Sequence, residues 1–78
     1  MNIDENDRAI EKIKNLFIDY KTLFRIVSYN CPRHYDIEVK IDVLHLHLIN
    51  KIVNNKNLKS IYTDKDNGGI IILFRWDY

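Results

Sequence analysis

The residues best equipped for chemistry stand together in Asp36-Ile37-Glu38-Val39-Lys40. On an extended backbone side chains alternate between faces, so both carboxylates and the ammonium share one side. Such a set can hold Mg²⁺, with the lysine steadying an attacking water or the developing charge on a phosphorus centre. A small metal-dependent nuclease using Asp36, Glu38 and Lys40 is therefore one expectation. A competing account needs no chemistry: alternating charges are what the solvated face of a half-buried strand carries.

The acid-x-Lys pair resembles half of the PD-(D/E)xK nuclease signature, which also requires an acid on a neighbouring strand. The preceding strand-like stretch, residues 22–29, supplies none. Composition alone yields about one acid-x-Lys pair in such a chain, and Asp19-Tyr20-Lys21 is a second. His34 lies two residues from Asp36, close enough for a base oriented by a carboxylate. His45 and His47 would share a metal on a strand, whereas on a helix they point roughly 200° apart. Cys31 lacks the arginine six positions on that a phosphatase thiolate uses, because Ile37 stands there. Gly68-Gly69 has no following Gly-Lys-Ser/Thr and reads as a hairpin turn rather than a phosphate cradle. No catalytic constellation emerges, and nothing calls for a metal or another cofactor.

The elements that position these residues follow from periodicity. Asp4 is a candidate N-cap with acidic residues massed behind it. Ile10, Ile13, Phe17, Tyr20, Phe24 and Val27 then recur at spacings of three and four, the mark of an amphipathic helix. Residues 22–29 are nevertheless rich in β-branched and aromatic types, which favours a strand. Asn30-Cys31-Pro32-Arg33 is a loop in either case. Tyr35, Ile37, Val39 and Ile41 alternate with polar residues as a one-sided strand. Asp42 is expected to cap a second helix with Leu44, Leu48 and Ile52 on its inner stripe. Leu58–Thr63 and Ile70–Trp76 form a hairpin around Asp64–Gly68.

The predicted fold is α+β: a single domain over 1–78 with two helices and a small antiparallel sheet of three or four strands. The order is αββαββ, an approximate repeat of residues 5–41 in 42–76, or αβαββ if the first helix runs on to about residue 28. In 78 residues with 46% hydrophobic and 29% charged content there is enough apolar material for a core. A formal charge of +1 gives no strong field for nucleic acid, and no apolar run is long enough for a membrane span. One cysteine and an acidic, polar N-terminus lead to the expectation of a cytoplasmic protein.

The final strand differs from Tyr35–Ile41 in being apolar on both faces. Ile70, Ile72, Phe74 and Trp76 point one way, Ile71 and Leu73 the other. With both helices on one side, the second set would form an exposed patch, the usual sign of a partner contact. The leading expectation is thus a non-enzymatic macromolecule-binding protein, either homodimeric or an inhibitor or adaptor of a larger protein. Ile71, Leu73, Trp76 and Tyr78 would be its contacts. Its small size alone suggests a phage- or mobile-element-encoded protein. The alternative is a DNA- or RNA-binding regulator using Lys51, Lys56, Lys59 and Lys65 across the second helix and the hairpin.

Overall fold

The computed structural model describes residues 3–18 and 24–78. Its elements are α1 (Ile3–Phe17), β1 (Phe24–Asn30), β2 (His34–Ile41), α2 (Leu46–Ile52), β3 (Leu58–Thr63) and β4 (Ile70–Asp77), the αββαββ arrangement. The strands form one antiparallel sheet in the order β1-β2-β4-β3. Each αββ unit contributes a hairpin, and the two hairpins meet through β2 and β4. The strand order therefore reads the same from either edge, as the approximate sequence repeat requires.

Both helices lie on one face. Ala9, Ile13 and Phe17 from α1 and Leu48 and Ile52 from α2 join Tyr35, Ile37, Val39 and Ile41 of β2 and Ile72 and Phe74 of β4 in one buried cluster. The alternation in β2 predicts this placement residue for residue, because period two must send one set inward. In β3, a register shift between Leu58 and Ser60 lets both Leu58 and Ile61 stand on the helix side, opposite Phe74 and Ile72. From the turn to Ser60 the register is unbroken, so Ser60 and Tyr62 stand on the other face, opposite Leu73 and Ile71.

Three boundaries differ from expectation. The long first helix, and with it the αβαββ order, does not form: residues 24–30 are a strand whose seven members all pair with β2. A spacing of three and four fits Phe24 and Val27 by coincidence, and full-length pairing of β-favouring residues outweighs it. Tyr20, the other late member of that stripe, lies outside the described residues, as does Asp19-Tyr20-Lys21. Asp4 is the second residue of α1 rather than its cap.

Asp42 does not cap α2, which starts at Leu46 with His45 as its N-cap and no side-chain capping bond. Leaving β2 for the helical layer means climbing about 10 Å, one helix diameter, which takes about three extended residues. Asp42, Val43 and Leu44 make that climb, and Leu44 packs against the core on the way.

The β3–β4 turn forms where expected. Amides of Asp66 and Asn67 donate to Asp64 Oδ1 at 3.1 and 3.2 Å, and the Gly68 amide donates to the Asp64 carbonyl at 2.9 Å. The bonds to its carboxylate hold Asp64 below the usual aspartate range, the Asn67 amide most of all. Gly68 and Gly69 supply the positive φ angles, 75° and 86°.

Candidate functional site

Cross-strand register lays out the face that no described helix covers. From β3 across β4 and β2 to β1, one row reads Tyr62, Ile71, Lys40, Arg25. The next reads Ser60, Leu73, Glu38, Val27, and the third brings Arg75, Asp36 and Tyr29 together. Beyond them His34 stands opposite Asp77.

Size of neighbours decides what is exposed. Ile71 is flanked by Tyr62 and Lys40 and is only 7% exposed, whereas Leu73 beside the small Ser60 is half-buried. The exposure expected at Ile71 is therefore corrected: neighbouring side chains cover it. Tyr62 does so by reaching across β4 to donate from its hydroxyl to Glu38 Oε1 at 3.4 Å. Burial first, then the Glu38 charge and hydrogen bond, raise the Tyr62 phenol above its ordinary value. Tyr29 comes to the same carboxylate from β1, and its hydrogen bond to Glu38 raises its phenol too.

Asp36 anchors the other end of the face. Arg75 grips it with two bonds, Nε to Oδ1 at 2.8 Å and Nη2 to Oδ2 at 2.9 Å, a fork-on-carboxylate geometry. Nε2 of His34 lies 3.4 Å from Oδ2, and Lys59 adds its positive field. Arg75 holds the Asp36 carboxyl below the usual range, against the opposing effect of burial. The same bonds raise the Arg75 guanidinium. Arg75 is itself fixed, since its amide donates to Asn57 O at 2.7 Å and its carbonyl accepts from Asn57 Nδ2 at 3.1 Å.

The acid pair and lysine of the nuclease expectation do share this face, but Asp36 is committed to Arg75 and Glu38 to two phenols. Among the described residues no three His, Cys, Asp or Glu side chains converge as a metal site. His45 and His47, both exposed, lie at and just inside the start of α2, and Cys31 is a half-buried free thiol.

The four expected contact residues do not share a surface. Ile71 and Leu73 belong to the helix-free face; Trp76 turns to the helix side, its ring 6.3 Å from that of Tyr35. Tyr78 folds back on the β1–β2 turn, its hydroxyl bonded to Asn30 Oδ1 and its amide to Arg33 O at 3.1 Å. Trp76 instead helps to line an open cleft of about 500 Å³ with Arg8, Lys12, Lys56 and Asp77.

The four lysines scatter as well. Lys51 sits on α2, Lys56 in that cleft and Lys59 beside Asp36, while Lys65 lies in the turn at the far end of β3, about 20 Å of strand away. Tyr29, Tyr62 and the main role of Arg75 were not apparent in the pattern. Because the bulge puts Leu58 and Ile61 on the same side, no simple alternation along β3 marks Tyr62 as facing outward.

Comparison with protein families, with curated proteins and with solved structures yields no match. Among the described residues no helix is long and apolar enough to cross a membrane.

Proposed function

We propose that this chain is a non-catalytic binding module that engages a protein partner through its helix-free sheet face. One observation carries the reading: the face has a half-buried Leu73 at its centre, ringed by Tyr29, Tyr62 and the Asp36-clamped Arg75. Tyrosine and arginine around an apolar centre is the composition of protein-contact hot spots. Holding Arg75 in a fork bond lowers the ordering entropy that a partner would otherwise have to overcome.

The test is site-specific photocrosslinking in the native host. Photoreactive residues at Leu73, Tyr29 or Tyr62 should capture one discrete protein partner, and Leu73→Asp should abolish capture from the other two positions. Capture only from the helix side, at the exposed Leu46 or Val53, would refute the reading.

A nucleic-acid reading keeps one specific support. Arg25, Lys40 and Lys59 lie on or beside the same face as two half-exposed tyrosines, a set suited to stacked single-stranded bases. Fluorescence anisotropy with single-stranded oligonucleotides decides it: no binding at low salt would dispose of this alternative.

A further inference from the structure

We infer that the outer edge of β1 is a self-association surface, on which a second copy of the chain adds its own β1 antiparallel about a two-fold axis through Val27. The sheet has two edges, and they are not alike. The β3 edge is six residues long, broken by the shift between Leu58 and Ser60, and carries Lys59 at that break. A short bulged strand with a lysine is a poor template for further pairing. The β1 edge has none of these guards. Its seven residues pair with β2 without a shift, and Arg25 is its single charge. Among the described residues, its outer backbone groups have no backbone hydrogen-bond partner.

The sequence of β1 suits pairing with itself. Side chains on one face must meet side chains on the same face, so only registers that keep odd residues opposite odd residues place both helical layers on one side. Of these, the register centred on Val27 alone overlaps all seven residues. It sets Val27 against Val27 of the partner copy, Arg25 against Tyr29, Ile26 against Ser28 and Phe24 against Asn30. No like charges meet, and the Arg25–Tyr29 contacts, made twice by symmetry, join a cation to an aromatic ring. The outcome is a continuous eight-stranded sheet whose two helix-free faces become one, whatever that joined face binds. Pairing along one seven-residue edge makes a small interface of the kind found in weak complexes, so the association is expected at high protein concentration.

Sedimentation velocity over about a hundredfold range up to about 1 mM tests this, with two opposed variants. Wild type should shift from monomer to dimer, and Val27→Lys and Val27→Glu alone should each dimerise at least fivefold more weakly. An equal mixture of the two should recover association, which also shows that both variants fold. Hydrogen exchange on wild type needs no variant: protection of β1 amides should rise with concentration while β3 amides stay unchanged. A wild type monomeric throughout, or variants that dimerise as well as wild type, would overturn the proposal. Crosslinking from Leu73 would be unaffected by that failure, so the two readings fall separately.

Discussion

Gly69→Ala tests whether the close approach that opens β4 is as tight as the geometry shows. Gly69 has φ of 86°, and a Cβ built there lies 2.7 Å from the carbonyl oxygen of Ile41. Backbone on β2 cannot rotate aside as a side-chain tip would. Gly68 is the internal control, with φ of 75° and nothing within 4 Å of its Cβ. Both alanines incur about 1–2 kcal/mol for left-handed backbone, offset by ~0.4–1 kcal/mol because alanine restricts the unfolded chain. Gly68→Ala should therefore cost about 1 kcal/mol. Gly69→Ala adds the overpacking of a rigid neighbour, about 1–3 kcal/mol more. Against a total of roughly 4–12 kcal/mol for a chain of this length, the second loss is severe. Urea titration followed by the fluorescence of the single tryptophan, Trp76, reads both variants. With a slope near 1 kcal/mol per molar, the midpoints of the two variants should differ by about 1–3 M. Variants within about 0.5 kcal/mol of each other would refute the reasoning, because only the contact with Ile41 separates them.

Two further predictions concern the helix-free face. Asp36 has its folded pKa depressed by Arg75, so its stabilising contribution is complete above the ordinary value of 3.8 and disappears as pH falls through the lower folded value. Urea midpoints between about pH 2 and pH 7 should fall on the acid side, and Asp36→Asn should flatten that limb without abolishing it, since Asp64 is depressed too. Tyr62→Phe loses the bond to Glu38 but keeps the ring over Ile71, whereas Tyr62→Ser removes the cover. Binding of a hydrophobic dye should rise for Tyr62→Ser and stay near wild type for Tyr62→Phe; equal binding would mean that the ring does not shield Ile71.

The sequence shows those features that depend on one element at a time. Alternation from Tyr35 to Ile41 defines β2 and its inner face, the stripe Ile13–Phe17 defines α1, and Asp64–Gly69 announces its turn. Features that depend on two elements were hidden. Residues 24–30 satisfied helical spacing and strand composition at once, and only a pairing partner of matching length decides between them. Asp42 has the chemistry of a cap, but the distance between sheet and helical layer moves the helix on to Leu46. The bulge at Leu58–Ser60 breaks the alternation of β3, turning Leu58 to the helix side while the unbroken register from the turn sets the face of Tyr62. For the same reason the covering of Ile71 was invisible: it depends on which β3 residue lies opposite.

A strand apolar on both faces needs cover on both, and β4 obtains it by two unequal means. On the inner face the cover is two helices packed through fully buried Ile13, Phe17, Leu48 and Ile52. On the outer face it is side chains: Tyr62 pinned to Glu38 by one 3.4 Å bond, Lys40, and, beside Leu73 on the β3 side, only the small Ser60. Displacing the inner cover means unfolding the domain, whereas displacing the outer one means moving a single ring whose hydroxyl finds water at once. A partner on this face thus gains Leu73 directly and Ile71 for the loss of one exposed hydrogen bond, on a floor kept rigid by the Asp36–Arg75 clamp and its ties to Asn57. Firm floor and movable cover together are the physical support for the proposed recognition on this face over the Trp76 cleft, where the tryptophan is already engaged with Tyr35.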